Sequence, residues 1–354
     1  MNILIVKTSA IGDVTHTIPA LNCLRQQHPD AHITWLVEPA AANLVVGHPA
    51  VDEVLIADRR AWIKEFRAGK WLSAMQQFGQ FTKVLRQRKY DLVLDFQGLL
   101  KSSLWVMLSG GKRRVGFGRG MQHSECSWLF LNERIPAVDM EIHALDRGLL
   151  LLKSIGVACS EVAYHFPLTD VLRDTIKARL VDAGFQEGKQ PLVVINPQTT
   201  WETKLWYDER FVQVADRLVE LGCFAVLSGG PGDVEANQAI AKNMAHPVLD
   251  MTGRSSLKEL ATLYDRADVL ISTDTGPMHI GAAMDTPVVA LFGPTAPWRT
   301  GPYGKQHQVL RAGLACSPCF KRECPRSHNK ECMDLLSVEQ VVEATMDMVA
   351  GRVG

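Results

Sequence analysis

The stretch DVLISTDTGPMHIGAAM, residues 268–284, opens with an apolar run, turns on Asp274, Thr275 and Gly276, and continues with His279 and the small residues Gly281, Ala282 and Ala283. An apolar run bounded by a turn reads as a buried strand, and the small residues suit a helix packed closely on it. At such a junction the backbone amides of Asp274–Gly276 can face an anion with the helix dipole behind them. His279 falls in the first turn of that helix. A lone histidine is ordinarily structural, but one that shares a loop with an Asp-Thr-Gly turn is a candidate ligand contact.

The same alternation runs the length of the chain. Apolar runs at 3–6, 33–37, 54–56, 92–96, 192–195, 224–227, 269–272 and 288–292 read as buried strands. Between them lie amphipathic segments at 19–27, 82–88, 209–221 and 257–265. This order predicts α/β units with parallel sheets. A charged helical segment, 171–183, followed by GFQEGKQP, separates two halves that each restart with a strand. The expected division is residues 1–170, residues 171–335 and a final helical segment, 336–354. Two doubly wound domains would leave a cleft with ligands at the C-terminal ends of the strands.

The 354 residues are 47% hydrophobic and 21% charged, with 38 Lys+Arg against 38 Asp+Glu. That balance gives no argument for a nucleic-acid partner. The opening MNILIVKTSAIGD has no basic region ahead of a long apolar one, and no apolar stretch reaches the ~18 residues of a spanning helix. A cytoplasmic protein is expected, with any membrane contact peripheral.

Four loops that follow strands carry polar clusters. In KTSAIGDVTHTIPAL, residues 7–21, Lys7, Ser9, Gly12 and Asp13 precede a helix that includes Pro19. Gly12 suits a tight turn. Asp13 is either an N-cap or a carboxylate at the sheet edge available as a general base. The dinucleotide fingerprint G-x-G-x-x-G is absent there. In INPQTTWETKLWYDERF, residues 195–211, Thr199, Thr200 and Lys204 are partners that phosphate oxygens favour. In LSGGPGDVEANQAI, residues 227–240, adjacent glycines lead to Asp233 and Glu235, which either cap a helix or hold ribose hydroxyls. With the 274–279 loop, and with GPT at 293–295 beside it, the second half reads as a nucleoside-diphosphate site. It lacks the G-x-x-x-x-G-K-[ST] loop of the corresponding ATPases.

The stretches IVKTSAIGDVTHTIPAL, YDLVLDFQGLLKS (90–102), TTWETKLW (199–206) and STDTGPMHIGAA (272–283) together resemble glycosyltransferase family 9, the ADP-heptose:lipopolysaccharide heptosyltransferases. The opening, DFQGLLKS and HALDR (143–147) are more similar to the type I members than to type II. The resemblance implies the GT-B fold: two Rossmann-like domains, acceptor in the first and nucleotide sugar in the second, with the last helix packed back on the first. It implies inverting, metal-independent transfer of L-glycero-D-manno-heptose from ADP-heptose to Kdo of the lipid A inner core, at the cytoplasmic face of the inner membrane. Asp13 would be the base, and Lys204, Thr199, Thr200 and the amides of Thr275 and Gly276 would take the charge of the leaving ADP. Asp274 and His279 would hold heptose or diphosphate, and Glu235 the ribose, with Asp233 as its rival. The anionic acceptor would meet Ser9, Gly12, Arg59, Arg60, Lys64, Gln97 and Lys101. Arg113, Arg114 and Arg119 are further cations for acceptor or anionic headgroups.

Of eight cysteines, Cys23, Cys126, Cys159 and Cys223 lie in apolar settings and read as buried thiols. Cys316, Cys319, Cys324 and Cys332, with His328 among them, have spacings compatible with a structural zinc, a stapled loop or free thiols. No cofactor is expected for the chemistry. Two other readings stand: heptosyltransferase II or III, or another family 9 enzyme, and a non-catalytic protein that binds nucleotide or glycan.

Overall fold

The computed structural model describes residues 1–121, 125–326 and 330–353. The chain divides into two units, Met1–Pro167 and Leu168–Gly354. In the first, six strands, β1 (Asn2–Val6), β2 (His32–Val37), β3 (Glu53–Ile56), β4 (Leu92–Asp95), β5 (Arg113–Phe117) and β6 (Glu133–Ile135), form one parallel sheet in the order β3-β2-β1-β4-β5-β6. Helices α1 (Ile11–Gln27), α2 (Pro39–Val45), α3 (Arg59–Arg67), α4 (Trp71–Leu85), α5 (Leu100–Leu108) and α6 (Ala144–Ser154) accompany it. The order reverses between β1 and β4, where Val6 pairs with Asp95. Ligands of such sheets bind beyond the strand C-termini at that switch.

The second unit repeats the plan. Strands β7 (Leu192–Asn196), β8 (Phe224–Leu227), β9 (Leu249–Asp250), β10 (Val269–Thr273), β11 (Val288–Phe292) and β12 (Gln308–Arg311) run β12-β11-β10-β7-β8-β9, all parallel, switching between β7 and β10. Its helices are α7 (Asp170–Asp182), α8 (Asp208–Glu220), α9 (Val234–Asn243), α10 (Leu257–Arg266), α11 (Gly276–Ala283), α12 (Pro297–Thr300), α13 (Glu331–Asp334) and α14 (Val338–Val353). Strands β7, β10 and β11 are buried along their whole length, which is why they read as apolar runs up to the polar Asn196, Ser272 and Thr273 at the C-terminal ends of β7 and β10.

Several expectations are corrected here. The first helix begins at Ile11 with Asp13 in its first turn, and Pro19 lies inside it and costs it one hydrogen bond. The helix read at 82–88 is the end of α4. Strands β5, β6, β9 and β12 were not legible: β9 has two residues, and none of the four has the continuous burial of the central strands. The last helix seats Val341, Ala344 and Val349 in the core of the second unit with Val214, Leu218 and Leu291. Cys23 and Cys159 are not separate thiols. They form a disulfide with Cα atoms 5.3 Å apart, beside the Asn22 amide that donates to the Ala163 carbonyl. Cys126 is exposed, while Cys223 is buried and its thiol is pushed up to about 11 by desolvation.

Candidate active site

In the first unit, the loops after β1 and β4 are bound together by one buried carboxylate. Asp95, at the end of β4, accepts from the Gln97 and Gly98 amides at 3.1 and 3.0 Å and from Ser102 Oγ at 3.1 Å. Burial pushes its carboxyl up, and these donors together with the nearby Lys7 ammonium oppose that. The turn so made needs Gly98 at φ +64°, a left-handed conformation that glycine adopts without penalty. It aims Gln97 Oε1 at the other loop, where it accepts from the Thr8 amide (3.0 Å), Thr8 Oγ1 (3.2 Å) and the Ser9 amide (3.0 Å).

Asp13 stands in the first turn of α1. Its Oδ2 accepts from the Ala10 amide at 3.1 Å, and its Oδ1 lies 3.6 Å from Lys7 Nζ, which also donates to the Phe96 carbonyl. Capping and exposure to ligand are therefore not alternatives, since one oxygen serves the helix start and the carboxylate still faces a cavity. That cavity, about 340 Å³, is lined by Lys7, Asp13, His16, Gln97, Met140 and Arg147 among others. Gly12 is a correction: it is buried in helical backbone, not in a tight turn. Ser9 Oγ accepts from Lys101 Nζ. Glu38 lies 3.7 Å from Lys101 and 3.8 Å from Arg59, so a single carboxylate gathers two of the expected acceptor cations. Arg60 and Lys64 lie exposed on α3. The reading missed His16 and Arg147. Arg147 sat in plain view within HALDR, but a cation in an amphipathic helix carries no signal of facing a cavity.

In the second unit the corresponding loops follow β7 and β10. Trp206 is buried against Phe211, with ring centroids 5.0 Å apart, and anchors the loop after β7. The short turn Glu202–Lys204 then carries Lys204 to Asp274, with Nζ 2.7 Å from Oδ2. Thr295 Oγ1 donates to the same Oδ2 at 2.6 Å, and Thr199 Oγ1 to the Asp274 carbonyl at 3.4 Å. Lys204 Nζ also lies 4.5 Å from the Trp201 ring centroid, and Arg322 stacks on that ring at 5.0 Å. Thr275 is the N-cap of α11, with Gly276 and Pro277 opening the helix. Gly281 lets that helix lie against β10, because a Cβ there would sit 2.3 Å from Leu270 Cδ2. His279 is buried in the first turn, Thr200 is exposed, and Glu235 is exposed at the start of α9. Asp233 is occupied as a cap, its Oδ2 accepting from the Gly230 amide at 2.7 Å. Arg322 went unread because it lies far along the chain in the cysteine segment.

Each unit thus places its polar residues at a switch point, where a carboxylate faces a cavity in the first and an ammonium, hydroxyls and a helix start gather in the second. The profile of "Glycosyltransferase family 9 (heptosyltransferase)" matches residues 78–330. The chain belongs to glycosyltransferase family 9, the heptosyltransferases. This family 9 enzyme is 32% identical to lipopolysaccharide heptosyltransferase 1 of Pseudomonas aeruginosa over 95% of its own length and 91% of that protein's. It also resembles E. coli heptosyltransferase WaaC solved with ADP (27% identity, TM-score 0.77, 98% and 100% of the two chains). WaaC solved with ADP-2-deoxy-2-fluoro heptose is equally similar (27%, 0.76, 98% and 99%). The paired Rossmann-like halves are those of the heptosyltransferase structures, as the GT-B expectation required.

The cysteine segment of the enzyme is gathered in space. Cys316, Cys319, Cys324 and Cys332 border one small cavity with Pro294 and Glu331. Among the described residues no three His, Cys, Asp or Glu are placed to hold a metal ion. The Cys324 sulfur instead takes the backbone amides of Arg326 and Lys330, which lower its pKa, while burial raises that of Cys332. His328 lies outside the described residues.

Proposed function

We propose that this enzyme transfers L-glycero-D-manno-heptose from ADP-heptose to a Kdo sugar of the lipopolysaccharide inner core, with inversion, at the cytoplasmic face of the inner membrane. The observation that carries the chemistry is Asp13, a carboxylate fixed through one oxygen and presented on a cavity among cations. The similarity to type I relatives supports the donor and the acceptor class.

Asp13 takes the proton from the acceptor hydroxyl as that oxygen attacks the anomeric carbon. The bond from that carbon to the diphosphate oxygen breaks on the opposite face, through an oxocarbenium-like transition state. Charge then grows on ADP, and Lys204, Thr199, Thr200 and the amides of Thr275 and Gly276 receive it without reorganising. Asp274 is a poor contact for a diphosphate, since both are anionic. Its role is to position Lys204, with Thr295 holding the carboxylate in turn. Glu235 holds the ribose, Asp233 being engaged as a cap. His279 lines the donor site from α11. Ser9, Gln97, Arg59, Arg60, Lys64 and Lys101 meet the anionic acceptor.

The test is transfer with ADP-heptose, read as ADP release and product mass together. Kdo–lipid A gains one heptose under this reading. Product only from an acceptor that already bears heptose would reassign the enzyme to type II or III, and ADP binding without product on any acceptor would leave a binding protein.

A further inference from the structure

We propose that Arg322, carried by the cysteine segment, is a donor-binding residue whose guanidinium meets the diphosphate of ADP beside Lys204. The proposal deepens the reading above and rests on it, since the second unit must take the nucleotide. The segment reaches the donor loops because it is tied to two of them. The Cys319 and Phe320 amides donate to the Pro294 carbonyl at 3.0 and 2.8 Å, and Ser317 Oγ donates to the Gly293 carbonyl, on the loop that supplies Thr295. On the loop after β7, the buried Thr203 donates through Oγ1 to the Lys321 carbonyl at 2.8 Å. These bonds fix the backbone of residues 317–321, and the next side chain, Arg322, comes to lie on Trp201 with its guanidinium carbon 5.0 Å from the ring centroid. Lys204 Nζ lies 4.5 Å from the same centroid. One indole therefore gathers two cations that stand far apart in the sequence, and holds them close enough for a single diphosphate to meet both.

The charge balance of the donor loops calls for such a cation. Lys204 is paired with Asp274 at 2.7 Å, so the two together bring no net charge to an arriving polyanion. Thr199, Thr200 and the amides of Thr275 and Gly276 add donors without formal charge. A diphosphate that gains charge as its glycosyl bond breaks is stabilised by fixed positive charge. Arg322 is exposed and forms no ion pair among the described residues, so its charge is uncompensated. Its planar fork can donate two parallel hydrogen bonds to phosphate oxygens, which an ammonium cannot. Stacking on Trp201 also limits the rotamer freedom that the side chain would lose on binding.

The experiment is calorimetric titration of the full chain with ADP and, separately, with adenosine, which carries no phosphate. No acceptor is added. Arg322→Gln should weaken ADP about ten- to a hundredfold, the range of a charge-assisted hydrogen bond, and leave adenosine within about threefold. Arg322→Lys, which keeps the charge and loses the fork, should recover part of the ADP affinity. Both variants should melt with the unaltered chain in the absence of nucleotide, because the side chain is exposed. ADP affinity unchanged in Arg322→Gln, or ADP and adenosine weakened alike, overturns the proposal while leaving the donor reading in place. An unaltered chain that binds no ADP removes the donor reading itself, and the proposal with it.

Discussion

Replacing Lys204 by Met separates what the Lys204–Asp274 pair does for the fold from what it does for the reaction. The side chains are only 16% and 6% exposed and 2.7 Å apart. Removing the ammonium leaves the Asp274 carboxylate buried with the Thr295 hydroxyl as its remaining side-chain donor. Breaking one side of a buried pair costs about 3–5 kcal/mol, because the partner charge stays uncompensated. For a unit of this size each kcal/mol moves the melting point by about 2–4 °C, so Lys204→Met should melt roughly 6–20 °C lower. Adding Asp274→Asn removes the stranded charge while keeping an acceptor for Thr295, and should restore most of the loss. The reaction behaves differently. Losing a preorganised group that meets leaving-group charge costs roughly a hundred- to a thousandfold in kcat/KM, and the double variant should stay as slow as Lys204→Met. Calorimetry and initial rates of ADP release on the four proteins of the cycle decide it. A single variant that melts like the parent removes the structural claim, and a double variant that regains activity removes the claim that Lys204 stabilises ADP.

Asp13→Asn should slow turnover by about a hundred- to ten-thousandfold, the range of a positioned general base, with the KM for donor little changed; an activity near the parent's would show that the base lies elsewhere. Gly281→Ala drives a Cβ to 2.3 Å from Leu270 and should cost about 1–3 kcal/mol in chemical denaturation, against no loss if α11 can slide off β10. His48 is buried, accepts from the Ala50 amide at 3.1 Å, and is pushed down to about 4, first by desolvation and then by the charge of His165. Its folded value lies below the usual 6.5, so the unfolded chain protonates first. The stability it supports is whole above about pH 6.5 and is lost as pH falls toward 4, by about 3 kcal/mol in all. His48→Asn should flatten that limb of the curve of melting temperature against pH, and an unchanged limb would place the acid sensitivity elsewhere.

The central strands were legible because parallel strands covered on both faces are apolar through most of their length, as at 192–195 and 269–271. The first turn of α1 is marked in the sequence only by Asp13, because Gly12 and Asp13 give it loop composition. The site residues are named mostly from motifs, and the loops that carry most of them follow strands of the two sheets. Their functions within the loops were less visible. Gln97 is expected at the acceptor, and its carbonyl oxygen also holds the 8–9 backbone. Asp274 was read as a ligand contact, yet it holds Lys204. Sequence spacing reports which residues share a loop but not which partner, distant in the chain, will saturate each polar atom.

By itself, then, the amino-acid sequence determined two α/β halves, the family, and the polar loops at the strand ends, since hydrophobic periodicity and local motifs are properties of neighbours along the chain. The tertiary structure alone decided the pairings that span many residues: Lys7 on the Phe96 carbonyl, Glu38 between Arg59 and Lys101, and Thr295 on Asp274. It also decided the disulfide of Cys23 with Cys159 and the burial of α14 in the second core. These depend on strand order and on which loop ends meet at a switch point, and nothing in the local pattern encodes that meeting.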